Sequence, residues 1–246
     1  MTEDRIVVET PEGPMETHRA APPDGERNPA VLVLQEAFGV DDHIRSVCRR
    51  FAREGYVALA PELYHREGPA RTFGYEDFSA VRPHLGALTN GGIATDVRAA
   101  LARLRSDPAV DGERIAAVGF CVGGFAAFLA ACRTDVAAAV CFYGGGIARE
   151  RPGMKLRPLL PEADAIACPL LAFFGAEDAS IPPADVEAVG VRLRDLGKTF
   201  EIVSYPGAGH GFFNDERSSY RADAAVDAWQ RTLEWLDRRL PGGAER

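Results

Sequence analysis

The stretch "VGFCVGGFAAFLA", Val118–Ala130, sets a lone cysteine among glycines directly after an apolar run. The preceding "RIAAVGF", Arg114–Phe120, reads as a buried strand. After it, Phe125, Phe128, Leu129 and Cys132 recur at helical spacing with alanines between them, and such small residues let a helix pack close to a sheet. A strand, a tight glycine turn and a helix are the setting of a nucleophile elbow, where the side chain sits on a strained turn and its flanks must be small. Gly119, Gly123 and Gly124 supply those flanks around Cys121. The thiol would then lie at the end of a central strand and at a helix N-terminus, whose dipole favours thiolate. Two other readings of these residues stay open at this point: a packing cysteine in a Gly-rich turn, and a dinucleotide-binding turn. The second lacks the G-x-G-x-x-G spacing, and the later strand ending "CFYGGG" offers no acidic residue for a ribose.

A cysteine nucleophile needs a proton acceptor and a group to orient it. Both occur later in the chain, each just past an apolar run. "LLAFFGAEDASIP" puts Asp178 in the loop after its strand, with Glu177 as the other candidate acid. "IVSYPGAGHGFF" puts His210 in a Gly-rich loop after the last strand. The order nucleophile, acid, histidine is that of the strand-end triads. The remaining histidines, His18, His43, His65 and His84, fall in the N-terminal half and read one by one as surface residues.

The rest of the chain fits around these three points. Apolar strands at "RIVVET", "AVLVLQ" (Ala30–Gln35), "YVALAP", "VAAAVCFYGGG", "PLLAFFG" and "FEIVSYPG" alternate with helical patterns. In "DDHIRSVCRRFAREG", Ile44, Val47, Cys48 and Phe51 share one face; "IATDVRAALARLRSD" and "PADVEAVGVRLRDLG" are further helices; the last helix carries Val226, Trp229, Leu233 and Leu236. Such alternation predicts a mostly parallel sheet covered on both faces, in a single domain over residues 1–246. Residues 62–92 read as a long irregular connection with one short helix, and connections of that length often carry binding surface. The closing "PGGAER" reads as frayed. A net charge of −8 disfavours nucleic acid. The N-terminus lacks a secretory h-region and no apolar run reaches membrane-spanning length, so a cytoplasmic protein is expected. Five cysteines, none in C-x-x-C or zinc spacing, read as reduced thiols and no metal site.

Taken with "QEAFGV" (Gln35–Val40), "GYVALAPELY" (Gly55–Tyr64), "FYGGG", "GAEDASIP" and "GAGHGFF", the elbow "GFCVGG" makes the chain resemble the dienelactone hydrolase family over nearly its whole length. That family comprises cysteine-nucleophile members of the α/β-hydrolase fold. The resemblance implies Cys121 as nucleophile, His210 as base and Asp178 as its orienting acid. It makes Glu36 a buried carboxylate toward which the resting thiol turns, to be deprotonated when substrate binds. It places an oxyanion hole at the backbone N–H groups of Ala37 and Val122, and Tyr143 either in the pocket wall or in packing. Best-known members hold a substrate carboxylate with arginines, one of them shortly after the histidine. Here Asn214 stands at that place, Arg217 lies further on, and Arg66, Arg71 and Arg82 occupy the variable 62–92 region. The reaction type therefore carries over better than the substrate. What is expected is hydrolysis of a carboxylic ester, a small lactone or enol ester such as dienelactone, through a thioester and without cofactor, by a monomer or small homo-oligomer whose partner is a small molecule. A broad carboxylesterase or thioesterase, or a ligand-binding homologue without turnover, are the alternatives.

Overall fold

The apolar runs become the middle strands of one eight-stranded sheet. The computed structural model of the chain describes residues 1–23, 27–76 and 78–242; the end of the tail expected to fray, from Gly243 on, lies outside the described residues. In chain order the strands are β1 (Thr2–Thr10), β2 (Gly13–Ala21), β3 (Asn28–Leu34), β4 (Val57–Pro61), β5 (Val110–Phe120), β6 (Ala138–Phe142), β7 (Leu170–Gly175) and β8 (Phe200–Tyr205). The helices are α1 (Asp42–Arg53), α2 (Phe78–Ala87), α3 (Asn90–Arg105), α4 (Val122–Arg133), α5 (Pro183–Asp195) and α6 (Ala222–Arg239). Across the sheet the order is β1-β2-β4-β3-β5-β6-β7-β8. From β4 to β8 every neighbouring pair is parallel, and only β2 enters antiparallel, against both β1 and β4. This is the expected mostly parallel α/β-hydrolase sheet.

Burial explains why the central strands show no alternation. Every residue of β4, β6 and β7 is buried, because helices cover both faces. On one side α1 and α6 meet through Phe51 and Trp229, their ring centroids 4.6 Å apart. On the other, α4 is buried from Val122 through Cys132 and packs against β5, β6 and α3. The last helix is turned differently from the expected face. Val226 is 67% exposed, while Ala225, Ala228, Thr232, Trp235 and Leu236 are buried. Burying Trp235 and Leu236 rotates the helix away from Val226, with Trp229 kept half-buried against Phe51.

Two elements differ from the sequence reading. β2 was not anticipated: "GPMETHRAA" has few β-branched residues, yet Met15 and Thr17 alternate inward and the strand pairs with β4 from Thr17↔Pro61 to Ala20↔Ala58. The 62–92 connection holds α2 and the first turn of α3, which begins at Asn90 behind a Thr89 cap that accepts from Gly92 N–H. The histidines expected on the surface are mostly enclosed. His43 is 2% exposed beside Phe120 and Phe213, and His65 lies 3.0 Å from the buried Asp96. Among the described residues no helix is long and apolar enough to cross a membrane.

Strand register sets up the site. Leu34 of β3 pairs with Gly119 of β5, and Phe120 of β5 with Phe142 of β6. The loops after β3, β5 and β6 therefore leave the sheet at one level, with those after β7 and β8 beside them, and such carboxyl-end crevices are where open α/β sheets hold ligands.

Candidate active site

Cys121 has φ 57° and ψ −115°, a backbone conformation that a non-glycine residue occupies only where the surroundings hold it. Its N–H donates to Phe142 O at 3.0 Å, and its carbonyl accepts from Phe125 N at 3.2 Å, so the turn is tied to β6 and to α4. The glycines are required by contact. A Cβ on Gly123 would overlap the carbonyl oxygen of Leu34, one on Gly119 that of Gly123, and one on Gly124 that of Phe142. The elbow is thus pressed between the ends of β3 and β6, and the thiol stands at the first turn of α4.

His210 bridges the thiol and a carboxylate. Its Nε2 lies 3.1 Å from Cys121 Sγ and its Nδ1 2.7 Å from Asp178 Oδ2. The Asp178 side chain is fully enclosed, and its second oxygen accepts from Ser180 N–H at 2.7 Å. Glu177, the other candidate acid, is exposed. Burial works against charge on His210, but the Cys121 thiolate and the hydrogen bond to Asp178 outweigh it and raise the imidazole to about 10. Burial likewise pushes the Cys121 thiol up, and the charge and hydrogen bond of His210 bring it below its ordinary value, with Glu36 opposing and Arg151 assisting. Each group thus favours the charged form of the other, His210 drawing the thiol down and the sulfur's charge pushing the imidazole up.

Glu36 is fully buried, as the resemblance implied, but its contacts differ from that picture. The thiol is on His210. The Glu36 carboxylate is held by other groups: Oε1 accepts from Tyr143 Oη at 3.0 Å and lies 3.8 Å from Arg217 Nη1, and Oε2 accepts from Asn214 Nδ2 at 2.8 Å. Tyr143 is correspondingly not in the pocket wall. It is fully buried with φ 40°, its ring 5.1 Å from that of His210 and edge-on to it, and its hydroxyl is used by Glu36. Asn214, read from sequence only as the place of a missing arginine, is the residue that completes this cage. A polar side chain four positions after the histidine was the available signal.

Above Cys121 lies a cavity of about 510 Å³. Ala37 and Val122, the residues of the expected oxyanion hole, are among its lining, and Val122 opens α4, where the N–H has no acceptor within the helix. Three arginines reach it: Arg82 on α2, Arg217, and Arg151 from the loop between β6 and β7, which the sequence reading did not single out. Arg66 and Arg71 do not. Arg66 is bound by Asp96 at 2.7 and 2.8 Å, and Arg71 lines a separate small pocket. Phe78, Arg82 and Leu85 of α2 form one cavity wall, so the 62–92 connection does border the site. Among the described residues no group of three or more His, Cys, Asp or Glu side chains could hold a metal ion.

Comparison with known proteins agrees with this architecture. The model of the "Dienelactone hydrolase family" matches residues 15–240. A Synechocystis protein named "Putative carboxymethylenebutenolidase" is 42% identical over 214 residues, which cover 86% of this chain and 87% of that one. A Bradyrhizobium protein named "Probable 2-oxo-3-(5-oxofuran-2-ylidene)propanoate lactonase" is 31% identical over 216 residues, 88% of this chain and 86% of that one. The crystal structure titled "Putative Dienelactone Hydrolase" from Klebsiella pneumoniae superposes with a TM-score of 0.88 at 34% identity, covering 96% of this chain and 98% of its own.

Proposed function

The chain belongs to the dienelactone hydrolase family and is a carboxylic ester hydrolase, and on that premise we propose that it opens a small lactone or enol ester by acyl transfer through Cys121. The observation that carries the proposal is the unbroken contact from Asp178 through His210 to Cys121 on the floor of a 510 Å³ cavity, a volume suited to a small organic substrate.

In the first step the Cys121 thiolate attacks the acyl carbon and the carbonyl electron pair moves to oxygen. That oxyanion takes the N–H groups of Ala37 and Val122, a stabilisation for which one donor is typically worth about 3–4 kcal/mol. Collapse restores the carbonyl and breaks the acyl–oxygen bond. His210 Nε2 gives its proton to the departing oxygen, leaving a thioester. Water then attacks the thioester while the now neutral His210 takes its proton. The second collapse expels the thiolate and frees the acid. Asp178 keeps the imidazole in one tautomer and steadies its charge. Glu36, held by Tyr143 and Asn214, acts on Cys121 through its charge, which raises the thiol.

The test is hydrolysis of a dienelactone beside p-nitrophenyl acetate by wild type and Cys121→Ala in parallel. Turnover of the dienelactone that disappears in the folded variant is the expected result. Turnover of the simple ester alone would move the substrate elsewhere among esters and thioesters. Turnover retained by Cys121→Ala would overturn the mechanism.

A further inference from the structure

The loop between β3 and α1, residues 35–40, carries both Glu36 and the Ala37 N–H, yet it is short of regular structure. What holds it is a second segment, Glu62–Tyr64, just past β4. Each of its three residues takes one point of the loop. Glu62 Oε2 accepts from Val40 N–H at 3.2 Å, Leu63 N–H donates to Gln35 Oε1 at 2.9 Å, and Tyr64 Oη donates to Ala37 O at 2.9 Å. Gln35 is fully buried, and its other atom matters most: Nε2 donates to Glu36 O at 3.2 Å. The Glu36 carbonyl and the Ala37 N–H belong to the same peptide plane and point in opposite directions. A donor on that carbonyl therefore fixes where the N–H is aimed, and it polarises the peptide so that the N–H becomes a better donor.

We infer that Gln35 is a positioning residue for the oxyanion hole: anchored by Leu63 N–H at one end of its amide, it holds the Glu36–Ala37 peptide with the other, so that the Ala37 N–H faces the reacting carbonyl. The inference rests on the acyl-transfer reading above, in which Ala37 supplies one oxyanion donor. Gln35 does not line the cavity, so it acts through the peptide and not on the substrate. Tyr64 holds the following peptide, whose N–H belongs to Phe38; its loss should disturb the Ala37 N–H less.

The experiment separates chemistry that builds an oxyanion from chemistry that does not. Gln35→Met removes both hydrogen bonds at nearly constant volume. Gln35→Asn, one methylene shorter, cannot span Leu63 N–H and Glu36 O together, and it serves where the methionine variant does not fold. Each is assayed for p-nitrophenyl acetate turnover and for alkylation of Cys121 by iodoacetamide, a displacement at saturated carbon with no oxyanion. Removing a whole oxyanion donor costs roughly 10²–10³ in kcat, so misaiming one should cost roughly 10–100-fold. The expected result is that loss in kcat, with KM within about twofold and the alkylation rate unchanged. A kcat within twofold of wild type in a folded variant would overturn the inference. So would an equal fall in alkylation, which would show Gln35 acting through the Cys121–His210 pair or the fold. Failure of the acyl-transfer reading is distinct: wild type would then keep its turnover after Cys121 is alkylated.

Discussion

Replacing His210 by glutamine should expose how the thiolate is held. The groups acting on Cys121 are burial and Glu36, which raise the thiol, and His210 and Arg151, which lower it. Removing His210 takes away the charge and the hydrogen bond that outweigh burial, and the thiol should return to or above its ordinary value of 9.0. At pH 7 the ionised fraction then falls to about 1% or less, whereas in wild type His210 holds the thiol below its ordinary value and the ionised fraction is larger. A more basic thiolate is intrinsically more reactive, by roughly threefold for each tenfold in basicity, which offsets part of the loss. The net expectation is alkylation by iodoacetamide severalfold slower at pH 7. The pH profile also differs. Wild type should level off at a lower pH than the variant, which should gain about tenfold per pH unit up to the thiol's own titration. Mass spectrometry of the Cys121 peptide reads both rates. Cys48, Cys132, Cys141 and Cys168 are buried, and burial pushes their thiols up, so they should not compete. Equal rates for variant and wild type at pH 7, or parallel pH profiles, would refute the lowering of the Cys121 thiol by His210.

Further outcomes follow from other contacts. Gly123→Ala drives a Cβ into the Leu34 carbonyl and should destabilise the fold by at least about 3 kcal/mol in urea unfolding; a loss under about 1 kcal/mol would mean that α4 and β3 can separate freely. Asn214→Ala leaves Glu36 Oε2 without its donor inside a closed site and should cost about 1–3 kcal/mol by the same measurement, an unchanged midpoint meaning that the cage is not needed. Arg82→Ala should raise KM about tenfold or more for an ester that bears a carboxylate and leave p-nitrophenyl acetate unaffected; equal effects on both would mean that this cation does not meet the substrate.

Much of the site was legible because its requirements are local. Glycines around Cys121, a strand before it and a helix after it are forced by close approach, and close approach leaves a composition that can be read. Asp178 and His210 could be found because each follows a buried strand in the expected order. The resemblance then pointed to Glu36, Ala37 and Val122. What could not be read depended on partners distant in the chain. Tyr143 was open between wall and packing, and its use by Glu36, 107 positions earlier, follows only from the neighbouring ends of β3 and β6. Asn214 reaches back 178 positions to the same carboxylate. Arg151 gave no signal, since an arginine in an irregular loop looks the same whether it faces solvent or a cavity.

The sequence by itself determined the alternation of buried strands and helices and the glycine turn around Cys121, since each rests on spacing within a few residues, and it put Cys121, Asp178 and His210 each just past a buried run. Tertiary structure decided which way the thiol is paired, what surrounds Glu36, which arginines reach the cavity, and that Glu62–Tyr64 clamps the loop bearing Ala37. Those are matters of register between strands far apart in the chain. The pairing of Leu34 with Gly119 and of Phe120 with Phe142 sets the strand ends level, and hydrogen bonds between the loops that leave them are then decided by distance in space.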